Sequence, residues 1–434
     1  MTELKQSTTV AVTLGAGAGS AGAALALTSV TTGSFGDGWH SLYDSSTAAQ
    51  ALGAVLAAIV ASVRMRSAAR LLVVLGAALI LGSVRIVDTD DSLMRAYVIS
   101  ILAGVVLGGI VGWAVDAATH IRLLTTVVAV GAIVGVVLNQ PLSNPFVYYP
   151  GGEPTQVISL QSVTVALLVI TMTLAAGLNP QVRQAMSSSM VSPSSPRIDR
   201  RAAVLGVGVA VMAVAVIGWN TATVGDDESF HEWYFGYVQV AIILAVAVIL
   251  GGTGGAALAA FAAWTASRAG DTSWIPDHRA WLIVAVAAVI AGALFGRRVG
   301  RPLVGIAVLA VCAATYLFYG SAVDEVYSFT VLFVAPGAVA FTVGALLRSG
   351  REPAAGALAI ALAGPAFWIL SPRAHEFFFT YIGNERPKSF DVSGSYGPHT
   401  FSMATETAIP MIVAVLVCGA VLLLILRRAA ADRA

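Results

Sequence analysis

Charge is what this 434-residue sequence most lacks. Only 11% of its residues are Asp, Glu, Lys or Arg, which is about half the share found in a soluble domain. Hydrophobic residues make up 57% of the chain, and the mean hydropathy is +0.84. The net charge of +1 provides no general attraction for nucleic acid. These values exclude a soluble enzyme, a disordered chain and a nucleic-acid-binding protein, and they predict an all-α, polytopic membrane protein.

Cysteines and catalytic motifs are scarce as well. The two cysteines, Cys312 and Cys418, lie within apolar runs, so neither a disulfide framework nor a cysteine metal site is indicated. The sequence contains no Walker loop and no G-x-S-x-G, H-E-x-x-H or C-x-x-C motif. A hydrolase, an ATPase and a metalloprotease therefore have no motif support, and we expect no cofactor.

What the sequence does contain is a series of apolar runs that approach the length of a membrane-spanning helix. The runs are continuous and lack the period-2 alternation of a membrane β-barrel. Glycines at 251–255 divide the long run at 235–268 into a helical hairpin. About fourteen spans result, at roughly 10–29, 48–63, 71–87, 94–115, 123–139, 158–178, 202–220, 235–250, 254–268, 280–296, 303–320, 326–347, 354–371 and 407–426.

The basic residues predict the orientation. With the N-terminus placed in the cytoplasm, seventeen of the 24 Lys and Arg residues lie in cytoplasmic segments, as the positive-inside rule requires. We therefore expect a multi-pass protein of the inner (plasma) membrane with both termini cytoplasmic. Lys5 and Lys388 are the only lysines in a sequence rich in Ala, Gly, Val and Arg, a composition typical of GC-rich bacterial genomes.

An internal repeat relates the first six spans to the last six at an offset of about 232 residues. Arg64, Arg66 and Arg70 match Arg297, Arg298 and Arg301. Because six is an even number, the two copies have the same orientation, and we predict a 6+2+6 arrangement with a parallel pseudo-repeat. The predicted domains are a six-helix bundle at 1–178, a cytoplasmic linker at 179–201, a two-helix insertion at 202–250, and a second six-helix bundle at 251–434 with an external loop at 372–406.

This arrangement and two short motifs resemble the fourteen-helix branch of the major facilitator superfamily. The run Arg297–Arg298–Val299–Gly300–Arg301 is similar to the D-R-x-G-R part of that family's signature, with Arg297 in place of the acidic residue. Leu93–Met94–Arg95 is similar to the start of its L-x-R-x-x-Q-G motif. The resemblance implies a transporter that works by rocking of two halves, with these arginines in a gate. The alternative for the cytoplasmic arginines is simple anchoring of the helix ends.

The spans contain few polar residues and almost no charge. Tyr97 and Gln161 are the polar side chains that we predict along a substrate path, together with Arg95, Arg297, Arg298 and Arg301. No carboxylate of the kind that proton-coupled antiporters use is embedded in a span. The substrate predicted on this basis is amphipathic or lipid-like. Gly104, Gly108 and Gly112 form a ridge typical of close helix packing, and most tryptophans lie near span ends, as in interfacial belts.

An acidic cluster is predicted on the outer face, and it leaves several functions open. It comprises Asp37, Asp226, Asp227, Glu228 and His231. These residues have the chemistry to bind a divalent cation, or to provide the base of a membrane glycosyltransferase that acts on a lipid-linked substrate. They are equally explained as solvated loop charges. A transporter or flippase is our first hypothesis; an embedded enzyme and a non-transporting scaffold with a partner in cell-envelope assembly are the alternatives.

Overall fold

The fold is given by a computed structural model of the full chain. It describes residues 2–28, 46–63, 65, 67–86, 93–117, 123–142, 168–169, 172, 232–267, 281–318, 325–348, 355–368 and 401–431. Side chains are described for most of these residues, with the exception of several at helix ends. The predicted sixth span is represented by three residues only, and the seventh, together with the linker at 179–201 and the loop at 372–400, lies outside the described residues.

Helices account for nearly all of this described part, and it contains no β-strand. Continuous runs of Ala, Leu, Val and Gly, without period-2 alternation, favour helices because each backbone polar group is then satisfied within its own segment. The all-α prediction is therefore confirmed for these ranges, whereas the count of fourteen and the 6+2+6 order remain predictions. In chain order the helices are α1 (Thr2–Thr28), α2 (Ser46–Ser62), α3 (Ser67–Ile86), α4 (Leu93–Ala117), α5 (Leu124–Leu142), α6 (Glu232–Leu250), α7 (Gly252–Ala266), α8 (Trp281–Val299), α9 (Pro302–Ala314), α10 (Glu325–Phe329), α11 (Ala335–Leu347), α12 (Ala355–Trp368) and α13 (Phe401–Ala431).

Five apolar segments in the described helices are long enough to cross a membrane. These segments are Val10–Thr28, Met94–Ala117, Leu282–Val299, Thr330–Leu347 and Ala408–Ala431. Length and hydropathy alone are the criteria, since about 20 residues are needed to cross the hydrocarbon core. The described part of the chain thus has the composition of a helical membrane protein.

Two tight turns show why the sequence changes direction where it does. Gly251 and Gly252 have φ angles of 62° and 55°, which are conformations that side chains rarely adopt. They separate α6 from α7, and the two helices pack against each other, so the predicted hairpin is confirmed. Between α8 and α9, Gly300 has a φ angle of 70°, and Pro302 starts the next helix. Glycine after one helix and proline at the start of the next are typical of such turns.

The helices pack in two groups with the same internal pattern. In the first group, α1–α5, helix α4 contacts α1, α2 and α3, and α1 also contacts α5. In the second group, α7–α13, the equivalent helix α11 contacts α7, α8 and α9, and α7 also contacts α12. The equivalence follows the order of the predicted spans in each half. The contacts named here for the first group therefore have counterparts in the second, whereas the contact of α4 with α5 has no comparable counterpart between the described residues of α11 and α12.

Glycine brings the backbones into contact at the same crossing in both groups. A methyl group added to Gly108 on α4 would collide with the carbonyl oxygen of Ala57 on α2. One at Gly112 would lie 3.1 Å from the carbonyl oxygen of Ala61. In the second group, Gly344 on α11 meets the carbonyl group of Ala293 on α8 in the same way. The predicted glycine ridge is thus confirmed as a helix-packing surface.

Burial distinguishes the helices from one another. Every residue of α7 from Gly254 to Ala266 is buried, because five other helices pack around it. Trp264 is only 1% exposed, so the prediction of an interfacial position is wrong for this tryptophan: α7 leaves no side open to the surroundings. Helices α8 and α13 instead expose large apolar side chains such as Ile283, Leu294 and Leu416. Such exposed faces are expected where helices contact lipid.

Candidate functional site

An ion pair joins α3 to α4 inside the first group. Arg70, near the start of α3, is 2% exposed, and its Nη1 donates to Asp116 Oδ2 at 2.6 Å. Its Nη2 donates to the carbonyl oxygen of Val63. Asp116 is half exposed, near the end of α4. Gly112 makes the approach possible, since a methyl group there would lie 2.5 Å from Arg70 Nη1.

This ion pair changes the interpretation of Arg70. The guanidinium group of Arg70 is buried between α3 and α4. Besides contributing to the positive-inside bias, this arginine therefore has a structural role in joining two helices. The pair was missed in the sequence because its members are 46 positions apart. The available signal was that both charges lie at helix ends on the same predicted side of the membrane.

A second arginine connects the two helix groups. Arg297, in the last turn of α8, donates from Nη1 to Thr126 Oγ1 at 2.8 Å. Thr126 is a buried residue in the first turn of α5. Thr126 follows Asp116 by ten residues, and α4 ends where the short connection to α5 begins. The bond therefore lies at the same end of the bundle as the Arg70–Asp116 pair. We call this end, defined by Arg70, Asp116, Thr126 and Arg297, the basic end.

The other predicted arginines of the α8–α9 turn are at the basic end but do not join the groups. Arg298 and Arg301 are exposed, which agrees with an anchoring role. The carbonyl oxygen of Arg298 accepts a hydrogen bond from Arg348 Nη1 at 3.0 Å. A methyl group at Gly300 would lie 2.5 Å from the same Nη1 atom. Glycine is thus required here both for its φ angle and for the close approach of Arg348.

Several contacts between the groups are reciprocal. Helix α5 of the first group contacts α8 and α11 of the second. Helix α12, which corresponds to α5, contacts α2 and α4, which correspond to α8 and α11. Helices α5 and α12 also contact each other. The exchange is incomplete, because α12 contacts α1 as well and the described residues show no comparable contact between α5 and α7.

The predicted path residues at the opposite end are only partly brought together. Arg95 and Tyr97 lie in the first turns of α4, and both are partly buried. Arg95 Nη2 is 3.4 Å from the carbonyl oxygen of Val84 in α3, a long contact that holds these helix ends together weakly. Neither residue is near the basic end. The structure therefore does not gather Arg95 and Arg297 into one gate.

The remaining predicted residues fall outside the described residues. These are Gln161 on the substrate path and the outer acidic cluster of Asp37, Asp226, Asp227, Glu228 and His231. Among the residues that the structure describes, no group of three or more His, Cys, Asp and Glu side chains is placed to hold a metal ion. The roles predicted for the outer cluster stay predictions.

A small apolar recess of about 10 Å³, no larger than the space one water molecule needs, lies within the first group. Its walls come from α1, α3, α4 and the predicted sixth span. The lining side chains are Val12, Ala16, Leu71, Val74, Ile110, Trp113 and Met172. Leu71 and Trp113 are close in sequence to Arg70 and Asp116, so the recess lies near the basic end. It offers only apolar contacts and lies inside one helix group, not between the two groups.

Comparison with known proteins gives little further guidance. No protein-family model matches the chain. No curated protein sequence matches it. Among solved structures, it is similar to a bacterial homologue of the human drug peptide transporters PepT1 and PepT2, with a TM-score of 0.49 and 16% sequence identity over 98% of this chain and 99% of that one. The apolar helices make this chain a helical membrane protein; any more specific function rests on the packing of its own residues.

Proposed function

We propose that this chain is a transporter or flippase of the bacterial inner membrane, of the major facilitator type, that carries an amphipathic, lipid-like molecule. Its two helix groups rock about their shared interface. The observation that carries the proposal is the reciprocal contact, in which α5 meets α8 and α11 while α12 meets α2 and α4. A reciprocal interface between two similarly built groups permits two related tilts about one axis, which is the basis of alternating access.

The packing within each group supports rigid-body motion. Glycine contacts at Gly108 and Gly344 bring helix backbones together inside each group, and the Arg70–Asp116 pair adds a directional bond inside the first. Packed interiors of this kind resist continuous deformation, so displacement occurs between groups. The Arg297–Thr126 bond crosses the boundary that has to move. A hydrogen bond from a charged group, with a net contribution of about 1.5–3 kcal/mol, is weak enough to be broken in each cycle.

The charge distribution supports the remaining parts of the proposal. No described helix has an Asp or Glu in its central turns, so an apolar or neutral molecule is the better match to the interior. The basic end carries Arg297, Arg298 and Arg348 in addition to Arg70, and under the positive-inside rule this excess of arginine supports a cytoplasmic location for it. The bond between Arg297 and Thr126 then closes the cytoplasmic side of the boundary between the groups.

A cross-linking experiment tests the rocking mechanism. Cys312 and Cys418 are first replaced by alanine, and Thr126→Cys and Arg297→Cys are introduced together. A short bifunctional thiosulfonate should join the two groups at the basic end. In proteoliposomes, movement of NBD-labelled phospholipid between leaflets, followed by dithionite quenching, should stop after cross-linking and resume after reduction.

The matched control joins two positions at the same end but within one group. Arg298 and Arg348, connected by a 3.0 Å hydrogen bond, are replaced by cysteine in the same background. Cross-linking of this pair should leave lipid movement unchanged, because α8 and α11 move together. Equal activity of both cross-linked proteins would contradict rocking. If the wild-type protein moves neither NBD-labelled phospholipid nor NBD-labelled glucosylceramide, the lipid-like substrate is wrong.

A further inference from the structure

The surface between α2 and α4 changes character along its length. At the basic end it is built from small apolar residues, where Gly108 and Gly112 face Ala57 and Ala61. Toward the opposite end, polar side chains replace them. We call this part, formed by Gln50 and Gly53 on α2 and by Ser100 on α4, the polar seam. Gly53 faces Ser100 directly, because a methyl group at Gly53 would lie 2.5 Å from the Ser100 carbonyl oxygen.

Ser100 has a hydroxyl group that no group in the described part of the chain satisfies. The residue is fully buried, and its Oγ has no hydrogen-bond partner. Other buried serines in this group differ: Ser62 Oγ donates to the carbonyl oxygen of Ala58 at 2.6 Å, and Ser20 Oγ donates to that of Val128 at 2.8 Å. Buried polar groups are normally hydrogen-bonded, so an exception requires an explanation. A partner that is present in another state of the protein provides one.

Gln50 adds a second polar side chain to the same seam. It is 2% exposed and lies three residues before Gly53, on the same face of α2. Helix α2 contains no charged residue, and the nearest charge on α4 is Arg95, five residues before Ser100. The seam is thus polar but neutral. The serine hydroxyl and the glutamine amide are both able to donate hydrogen bonds.

Access to the seam depends on the second helix group. Helix α12 packs against both α2 and α4, and also against α1. In the proposed rocking motion, α12 moves relative to the first group. Its displacement opens the side of the seam that it covers. Ser100 would then be able to complete its hydrogen bond with a group that enters from the boundary between the two helix groups.

We propose that the polar seam is a binding site for a neutral, hydrogen-bond-accepting head group, such as the sugar hydroxyls of an uncharged glycolipid. This inference rests on the proposed transport function and specifies the class of its substrate. Ser100 donates to an oxygen atom of the head group, and Gln50 keeps the surroundings of that hydroxyl polar. The acyl part of the molecule remains against the apolar helix faces. A charged head group would have no counter-ion on the seam.

The test compares two labelled lipids in proteoliposomes. NBD-labelled glucosylceramide provides the neutral sugar head, and NBD-labelled phosphatidylglycerol provides an anionic one. Movement between leaflets is measured by dithionite quenching for the wild type, Ser100→Ala and Ser62→Ala. Unfolding by sodium dodecyl sulfate is measured for the same proteins. Ser62→Ala is the matched control, because its hydroxyl is bonded within its own helix.

The wild type and Ser62→Ala should move glucosylceramide faster than phosphatidylglycerol. Ser100→Ala should move it about tenfold more slowly, as expected for one lost hydrogen bond in a desolvated site. Ser100→Ala should resist unfolding at least as well as the wild type, because it removes an unsatisfied group.

The proposed binding site would be contradicted if Ser100→Ala moved glucosylceramide at the wild-type rate, or if its lower rate were matched by lower stability. Neither result would contradict the proposed transport function. Faster movement of phosphatidylglycerol than of glucosylceramide by the wild type would also contradict the binding site alone. If the wild type moves neither lipid and the Thr126–Arg297 cross-link has no effect, the proposed function itself fails, and this site falls with it.

Discussion

Replacement of Gly108 by alanine tests how the first helix group is held together. The added methyl carbon would lie 2.8 Å from the Cα atom of Ala57 and 2.9 Å from its carbonyl carbon, besides colliding with the carbonyl oxygen. Carbon atoms pack favourably at about 3.5 to 4.0 Å. All three obstructing atoms belong to the backbone, so no side-chain rotation relieves the collision. Helix α4 has to move away from α2 by roughly 1 Å, which also loosens the neighbouring glycine contacts.

The expected cost follows from two opposing effects. Overpacking of a close contact costs about 1–3 kcal/mol, while alanine favours a helix over glycine by about 1 kcal/mol. The contact is between two backbones, so the overpacking cost should lie near the upper end of its range. After subtraction of the helix-propensity gain, we expect Gly108→Ala to lower the free energy of unfolding by about 2 kcal/mol. Gly76→Ala is the control. Gly76 lies in the middle of α3 with nothing within 4 Å of the added methyl group, so this variant should be as stable as the wild type or more stable.

Both variants are measured by unfolding in dodecyl maltoside with increasing sodium dodecyl sulfate. The helical signal should be lost earlier for Gly108→Ala and no earlier for Gly76→Ala. If both variants unfold together with the wild type, the close approach of α2 and α4 is wrong. The same result would remove the support that this contact gives to rigid-body motion.

Two further substitutions test the basic end. Asp116→Ala should lower the free energy of unfolding by roughly 2–3 kcal/mol more than Arg70→Met, because it leaves a buried guanidinium group without its ion-pair partner, whereas Arg70→Met leaves a half-exposed carboxylate. Detergent unfolding of both variants and of the double variant gives the comparison. Equal costs would contradict the burial of Arg70. Gly300→Ala should lower the free energy of unfolding by about 1–2 kcal/mol, because alanine is strained at a φ angle of 70°. The control is Gly82→Ala, since Gly82 has open space around it. Equal stability of the two variants would contradict the positive φ angle of Gly300.

Helix positions were predictable because apolar run length and turn-forming residues are local properties of the sequence. The span predicted at 94–115 corresponds to α4, Leu93–Ala117, and the one at 280–296 corresponds to α8, Trp281–Val299. The break at Gly251 was predicted for the correct reason, since this glycine and the next have positive φ angles. Hydropathy and glycine content were sufficient at these places, with no knowledge of the packing.

Partners across the bundle were not predictable in the same way. Arg297 and Thr126 are 171 positions apart, and nothing in either local sequence shows which face of its helix contacts the other group. Trp264 lies at a span end, where tryptophan often marks the membrane surface, but α7 is enclosed by other helices. A π-helical segment, Thr330–Val334, precedes Pro336. Proline indicates a disturbed helix, but the length of the disturbance depends on tertiary contacts.

The location of directional bonds gives the two ends of the molecule different mechanical roles. At the basic end, an ion pair fixes α3 to α4, and a hydrogen bond joins α5 to α8. At the other end, Arg95 makes a long contact to Val84 within the first group, and the buried hydroxyl of Ser100 has no hydrogen-bond partner among the described residues. The hydrogen bonds formed at the basic end stabilise its closed state. The unsatisfied hydroxyl group of Ser100 instead favours a state in which it gains a hydrogen-bond partner. A ligand that satisfies Ser100 would therefore have differential affinity for the two tilts of the helix groups, and such a difference is the requirement for a ligand to drive a conformational change.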